Sequence, residues 1–183
     1  DVWGGDSIID CVTGACTVDV ENVEIWGQCY NIEETDSLNF HNMDLVREIP
    51  SVIGKLVNLE YLFVYSAISV FPPELGNLQN LIVLVLEKTL ISELPPEIGD
   101  LVNLQALSFD QSSLISLPSA IANLVNLTYL NLSSNQLSAL PEELCTIYPN
   151  LEHFDVSYNS ICGAVPSCLY GINLDEYGEQ NCP

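Results

Sequence analysis

Basic residues are almost absent from this chain. Only three of its 183 residues are lysine or arginine, namely Arg47, Lys55 and Lys88, against 25 aspartates and glutamates, so the formal charge at pH 7 is −22. A nucleic-acid-binding protein needs a basic surface that neutralises phosphates, and docking on anionic lipid also requires basic residues. We therefore expect neither nucleic acid nor an anionic membrane surface among the partners.

Long apolar runs are missing as well. No run approaches the roughly 20 residues that a membrane-spanning helix requires, so the sequence predicts no direct membrane insertion. Hydrophobic residues nevertheless make up 48% of the chain. A chain of this length and composition is able to bury a substantial core, and the composition excludes a disordered protein.

The sequence also lacks the patterns that hold metals and cofactors. There is no Asp-x-Asp-x-Asp-Gly calcium loop, no Cys-x-x-Cys pair and no phosphate-binding glycine loop, so we predict no cofactor and no defined metal site. Only His41 and His153 would serve as bases near neutral pH, and the repeats described below place them far apart. Catalysis is therefore not expected.

Cysteine is absent from the middle of the chain. Seven cysteines form one group near each end: Cys11, Cys16 and Cys29, then Cys145, Cys162, Cys168 and Cys182. This distribution predicts disulfide-bonded caps around a cysteine-free middle, as in secreted or cell-surface proteins, and the first residue, Asp1, fits a mature secreted form. The odd number implies a cysteine that is unpaired, bonded between chains, or bonded to a residue beyond this sequence.

An internal repeat fills the middle. The pair Asn-Leu recurs at residues 58, 80, 103, 126 and 150, in steps of 22 to 24 residues, and proline recurs with the same rhythm. Each unit reads Leu-x-x-Leu-x-Leu-x-x-Asn-x-Leu or a near variant. The clearest copy has Leu127, Leu130, Leu132, Asn135 and Leu137. The pattern resembles that of leucine-rich repeat proteins.

The repeat predicts an α/β leucine-rich repeat solenoid with a parallel sheet on its concave side and short helices or 3₁₀ turns on its convex side. We expect an amino-terminal cap at 1–36, about six repeats at 37–161 and a carboxyl-terminal cap at 162–183. Alternation at 17–20 and 23–26 predicts strands that cover the first repeat. Asn135 and Asn159 are expected to bond backbone at the turns, and the other copies lack this asparagine.

The caps suggest disulfide pairs. Cys145 and Cys168 occupy nearly equivalent places on successive turns, a spacing that a disulfide bridges. Cys162 would then pair with Cys182, and Cys29 with either Cys11 or Cys16.

Two motifs indicate which subfamily of leucine-rich repeat proteins the chain resembles. Trp26-Gly27-Gln28-Cys29 and Asn159-Ser160-Ile161-Cys162-Gly163-Ala164-Val165-Pro166 are similar to the caps of plant-type extracellular leucine-rich repeat proteins. Receptor ectodomains, polygalacturonase inhibitors and similar protist surface proteins have such caps. The resemblance implies recognition of a protein or peptide on the concave face, and such proteins rarely have enzymatic activity.

The solvent-facing strand positions define a candidate ligand-binding surface. In its amino-terminal half they form an apolar group, named here the aromatic patch, which consists of Tyr61, Phe63, Tyr65, Val83 and Val85. Exposed adjacent aromatics usually mark a contact surface, unless the amino-terminal cap or a second copy covers them. The polar remainder is predicted to set specificity and to favour a basic or hydroxyl-rich partner. It includes Glu87, Asp110, Tyr129, Asn131, His153, Asp155 and Tyr158, with Ser108, Ser133 and Ser157 as further open positions.

Two further expectations concern glycosylation and an alternative function. The glycosylation candidates are Asn131, on the concave face, and Asn126, which belongs to the repeating Asn-Leu pairs and is therefore the less favourable site. The alternative function is that of a structural cell-surface or matrix protein that self-associates, through the concave face or the odd cysteine, or that binds divalent cations through its acidic surface.

Overall fold

The structure is a computed structural model, and it describes residues 21–41, 48–162, 165–171 and 180. Within these residues the chain forms β-strands and short 3₁₀-helices. The strands are β1 (Asn22–Ile25), β2 (Gln28–Asn31), β3 (Ser37–His41), β4 (Tyr61–Tyr65), β5 (Val83–Glu87), β6 (Ala106–Ser108), β7 (Tyr129–Asn131) and β8 (His153–Asp155). The 3₁₀-helices are η1 (Ser51–Lys55), η2 (Pro73–Asn77), η3 (Pro96–Asp100), η4 (Ser119–Asn123), η5 (Glu142–Thr146), η6 (Tyr148–Asn150) and η7 (Ser167–Leu169).

Strands β3 to β8 form one parallel sheet in chain order, and β1 pairs with β2 as a separate antiparallel hairpin. Between successive strands of the large sheet the chain returns through 3₁₀-helices. The predicted solenoid with a parallel sheet and short return helices is therefore confirmed.

Alternation along each strand builds the core. In β4 and β5, Leu62, Val64, Leu84 and Leu86 are fully buried, whereas their neighbours face outward. Each of the helices η1 to η5 adds one buried aliphatic residue, as Leu75 does in η2. A proline immediately precedes each of the described 3₁₀-helices except η6. The fixed φ of proline suits the entry into a helical turn.

Glycine allows neighbouring return helices to approach each other closely. A Cβ atom at Gly76 would lie 2.7 Å from the backbone oxygen of Glu97 in the next repeat, and Gly54 and Gly99 face the same kind of contact. The Ile-Gly or Leu-Gly pair of these repeats is therefore a sequence feature that indicates the close spacing between neighbouring return helices. Ala122 and Cys145 follow at the corresponding positions of later repeats.

Two ladders of asparagine side chains tie the repeats together. The exposed ladder consists of the Asn-Leu asparagines, whose Nδ2 atoms donate to a carbonyl of the preceding repeat at 2.8–3.0 Å. The buried ladder consists of Asn135 and Asn159. Asn135 accepts from Leu114 N at 2.9 Å and donates to Phe109 O at 2.7 Å, so the predicted role at the turns is confirmed.

Other residues replace asparagine at the two ends of the buried ladder. Ser112 stands one repeat earlier, and its hydroxyl donates to Leu86 O at 3.2 Å while accepting from Thr89. Gln180 stands one repeat later, because its side chain accepts from Ile161 N and donates to Val156 O. Gln180 thus supplies a side-chain amide in the place that Asn135 and Asn159 occupy in the repeats.

The amino-terminal hairpin covers one end of the core. Val23 and Ile25 are buried, and Trp26 packs edge-to-face on Phe40 with ring centroids 4.5 Å apart. Trp26 and Gly27 both adopt positive φ, as the two-residue turn of a hairpin requires. The strand predicted at 23–26 is thus found at 22–25, and the one at 17–20 lies outside the described residues.

The carboxyl-terminal end is held by the Cys145–Cys168 disulfide, as predicted, with Cα atoms 5.4 Å apart. Cys29 and Cys162 are also disulfide-bonded. The partners proposed for them, Cys11 or Cys16 and Cys182, lie outside the described residues.

The close approach of the return helices makes a first prediction. Gly76→Ala is expected to destabilise the protein by about 1–3 kcal/mol, because its Cβ would overlap the backbone of the next repeat. Urea unfolding measures this change. Ser119→Ala, an exposed position of η4, is the control and should be close to neutral; equal effects of the two variants would contradict the steric argument.

The two asparagine ladders should differ in energetic weight. Asn135→Ala leaves buried backbone groups without partners and is expected to cost about 2–4 kcal/mol, whereas Asn103→Ala removes one exposed hydrogen bond and should cost about 1 kcal/mol. Thermal or urea unfolding of both variants tests the difference. The prediction fails if the exposed substitution costs as much as the buried one.

The contact between η5 and η7 should depend on pH. Ser167 donates from its hydroxyl and its backbone N–H to the Glu142 carboxylate, and these bonds hold the pKa of Glu142 below its ordinary value of 4.5. A lowered pKa in the folded state stabilises the protein above the unfolded-state pKa, and this contribution disappears as the pH falls through the folded-state pKa.

Glu142→Gln should therefore be less stable than the native chain at about pH 7, and the difference should shrink towards about pH 3. Urea midpoints at the two pH values give the comparison. Glu143→Gln, an exposed neighbour, removes the same charge from the same helix; if it shows the same pH-dependent loss, overall charge and not the Ser167 contact is responsible.

Candidate ligand-binding surface

The strand register arranges the outward side chains in three rows across the sheet, each named here by its place along the strands. The first row is Ser37, Tyr61, Val83, Ala106, Tyr129 and His153. The middle row is Asn39, Phe63, Val85, Ser108, Asn131 and Asp155. The last row begins with His41, Tyr65 and Glu87, and backbone hydrogen bonds between repeats continue it through Asp110, Ser133 and Ser157.

The aromatic patch is brought together as the spacing predicts. Tyr61 lies opposite Val83, and Phe63 lies opposite Val85, on the adjacent strands β4 and β5. Tyr61 is 37% exposed, and the other four members are half-buried. Large apolar side chains therefore lie side by side on the accessible face of the sheet and are not part of the core.

Three carboxylates follow the patch along the sheet, and their own chain orients each of them. Ser108 donates to Glu87 Oε1 at 2.9 Å, and Ser133 donates to Asp110 Oδ1 at 2.6 Å. Asp110 Oδ2 also accepts from the Gln111 side chain at 2.8 Å, and Asp155 Oδ1 accepts from the Ser157 backbone. These bonds fix the carboxylates on a half-exposed surface.

The serines of this face are not open positions, which corrects the sequence-based expectation. Ser108, Ser133 and Ser157 are only 3%, 7% and 7% exposed. The hydroxyls of Ser108 and Ser133 bond the carboxylates of Glu87 and Asp110, whereas Ser157 bonds Asp155 through its backbone N–H. In the sequence, this arrangement is indicated by serines that stand beside acidic residues in consecutive repeats.

Two aromatic stacks frame the face, and His41 is the one of their four rings that the predicted site does not include. His41 stacks on Tyr65 with ring centroids 4.6 Å apart, and Tyr129 stacks on His153 at 4.3 Å. Burial, and then the neighbouring charge of Glu87, raise the pKa of Tyr65 above its ordinary value. The strand register is the feature that indicates His41 as a residue of this face, because His41 lies opposite Tyr65 in the last row.

Tyr158 lies at the edge of the face, in the turn after β8. It is 52% exposed and has a φ of 54°. Lys88, Gln111 and Ser134 occupy the same position in earlier repeats, also with positive φ. Tyr158 is thus accessible beside the last row and is not part of the sheet.

The two glycosylation candidates differ in their surroundings. Asn131 is half-buried in the middle row, and its Oδ1 accepts from Ser133 N at 3.0 Å. Asn126 is exposed and belongs to the outer ladder, where its Nδ2 donates to Val102 O at 2.8 Å. A glycan on Asn131 would cover the concave face, whereas one on Asn126 would leave that face open.

The two histidines considered as bases near neutral pH do not lie together in the sheet. His41 on β3 and His153 on β8 are five strand spacings apart, roughly 24 Å. Within the described ranges, histidine, cysteine and acidic side chains form no group of three that would hold a metal ion. An open groove of about 390 Å³ on the outer asparagine ladder is lined mainly by amides that already bond backbone, among them Asn80 and Asn103.

Comparison with known proteins agrees with this architecture. The family model described as Leucine Rich Repeat matches residues 126–147 and 150–172. No curated protein sequence is significantly similar to the chain. In the described part of the chain, no helix has the length and apolar character needed to cross a membrane.

Several solved structures share the fold. A leucine-rich repeat protein of Leptospira interrogans is 35% identical with a TM-score of 0.61, and the match covers 67% of this chain and 32% of that protein. The plant peptide hormone receptor RGFR1, in complex with RGF2, is 33% identical with a TM-score of 0.63, covering 68% of this chain and 21% of the receptor.

The receptor-kinase ectodomain GASSHO1/SCHENGEN3 from Arabidopsis thaliana, in complex with CASPARIAN STRIP INTEGRITY FACTOR 2, is 26% identical with a TM-score of 0.64. That match covers 72% of this chain and 17% of the ectodomain. The chain therefore spans about a third or less of the length of these proteins. It contains leucine-rich repeats and has the leucine-rich repeat solenoid fold.

Proposed function

We propose that this chain is an extracellular, non-enzymatic recognition module that binds a protein or peptide on its concave face. The observation that carries the proposal is the aromatic patch, which lies on the accessible side of the sheet next to oriented carboxylates. Large aromatic side chains offer contact area at a small loss of side-chain entropy and are enriched at interaction sites.

The arrangement suits a ligand that spans several repeats. Each strand contributes only two or three outward side chains, so no single repeat encloses a ligand. Six parallel strands together present a face about 24 Å wide at roughly 4.8 Å per spacing. An extended peptide or a protein loop matches such a face better than a small molecule does, because the latter binds in an enclosed pocket.

The solved relatives support the same class of ligand. RGFR1 and GASSHO1/SCHENGEN3 are described in complex with RGF2 and CASPARIAN STRIP INTEGRITY FACTOR 2, respectively. The disulfides at Cys29, Cys145, Cys162 and Cys168 support an oxidising compartment, and hence secretion or display at a cell surface.

A structural protein that self-associates or binds divalent cations is the second candidate. The formal charge of −22 favours it, since cations would relieve repulsion between acidic side chains. This function predicts calcium-dependent stability or oligomer formation without any separate ligand.

The aromatic patch provides the test. Peptides selected from a displayed random library against the native chain should lose at least about tenfold in affinity for Phe63→Asp/Val85→Asp, because two charges would stand where apolar contacts form. Calorimetric titration measures the affinities, and circular dichroism checks that the variant is folded.

A matched control uses exposed valines away from the concave face. Val102→Asp/Val125→Asp introduces the same charges at positions 44% and 53% exposed in the native chain, and it should leave peptide affinity unchanged. The proposal fails if both variants bind alike or if no peptide is selected. Calcium-dependent melting together with self-association in sedimentation would then favour the structural function.

A further inference from the structure

The carboxylates of the concave face have no basic partner in the described part of the protein. Their hydrogen bonds come from serine and glutamine groups, which are neutral. Lys88 follows Glu87 but lies in the turn beyond the strand, with an exposed side chain. The sheet face beside the aromatic patch is therefore negative and uncompensated.

Glu87 and Asp110 make this charge unfavourable for the protein alone. They are neighbours in the last row, where Lys88 N donates to Asp110 O at 3.0 Å across the two repeats. Asp110 follows β6 by two residues, so the two like charges face each other across adjacent repeats, an arrangement that is destabilising between strands. The buried hydroxyls of Ser108 and Ser133 hold both carboxylates on this face, so the repulsion is built into the structure.

A cationic ligand relieves this repulsion, whereas a hydroxyl-rich one does not. Hydroxyl groups would donate hydrogen bonds to the carboxylates but would leave their charges unneutralised. Arginine or lysine side chains would supply both the hydrogen bonds and the opposite charge, and their bonds to carboxylates are the stronger ones. Tyr65, in the same row, adds an aromatic ring beside the charged groups.

The strand spacing sets the spacing of the ligand. Phe63, Ser108 and Asp155 lie in the middle row on β4, β6 and β8, so each is two strand spacings, roughly 9.6 Å, from the next. A polyproline II peptide rises about 3.1 Å per residue with three residues per turn, and it therefore repeats one side about every 9.3 Å. Every third residue of such a peptide would face every second strand.

Building on the proposed function, we propose that the concave face binds an extended basic peptide. One aromatic or branched aliphatic side chain of the peptide packs on the aromatic patch. Arginine or lysine side chains three and six residues away reach the carboxylates of Glu87 and Asp110, and then that of Asp155.

Synthetic nine-residue peptides with blocked ends test this proposal. The matching probe is Pro-Phe-Pro-Pro-Arg-Pro-Pro-Arg-Pro, and its neutral counterpart has glutamine in place of both arginines. A third probe, Pro-Phe-Pro-Arg-Pro-Pro-Arg-Pro-Pro, keeps the composition but shifts the arginines by one position. Calorimetric titration against the native chain is expected to give at least about tenfold tighter binding for the matching probe than for either other.

Charge variants of the protein locate the interaction. Glu87→Gln/Asp110→Asn keeps an acceptor oxygen at each site for the serine bonds but removes both charges, and it should weaken the matching probe about tenfold or more. Glu74→Gln/Glu97→Gln removes two charges from η2 and η3 on the convex side and should leave the affinity unchanged.

The outcomes separate this inference from the proposed function. Equal weakening by the convex and concave charge variants, or equal binding of the shifted probe, would show attraction by overall charge and overturn the inference. Equal or tighter binding of the neutral probe, abolished by Phe63→Asp/Val85→Asp, would overturn the inference while leaving the proposed function intact. Absence of any binding sensitive to the aromatic patch would count against both.

Discussion

No repeat of this chain can bury its leucines without the next one, and the rest of the structure depends on that contact. Stacking at one strand spacing brings the return helices close together, and Gly54, Gly76 and Gly99 avoid a Cβ atom that would overlap the backbone of the next repeat. It also leaves backbone groups at each turn that need partners, which the asparagine ladders supply. At the two ends of the described repeats, the hairpin of β1 and β2, the Cys145–Cys168 disulfide and the Gln180 side chain make contacts that a neighbouring repeat makes elsewhere.

The same stacking divides the residues of each strand between the core and the accessible face of the sheet. Alternate residues such as Leu62 and Leu84 are committed to the core, and the residues between them remain free to vary. Because the register is continuous, these free positions form rows, and a property assigned to one repeat is placed about 4.8 Å from its neighbour. Apolar rings at β4 and β5 thus form one patch, and carboxylates near β5 and β6 form a charged region beside it.

Sequence reasoning predicted most of the fold because the repeat is periodic. The Asn-Leu spacing located every return, and alternation identified the outward residues of β4 to β8. The Gln180 contact was not predictable, since Gln180 lies outside the periodic positions of the repeats. The burial of Ser108, Ser133 and Ser157 was also missed, because alternation gives direction but not the length of neighbouring side chains. The His41–Tyr65 stack depends on the same side-chain detail.

The net negative charge of the whole chain affects the charged groups of the concave face. A chain with three basic residues cannot neutralise 25 acidic ones internally, so its leucine core must outweigh the repulsion between them. On most of the surface water and counter-ions screen that repulsion. On the concave face serine bonds hold Glu87 and Asp110 half-buried, where screening is weaker. In the proposed complex, a cationic side chain of the ligand would reduce the repulsion between these two carboxylates. A ligand that binds only the folded chain would also raise its stability, so binding and folding would be linked.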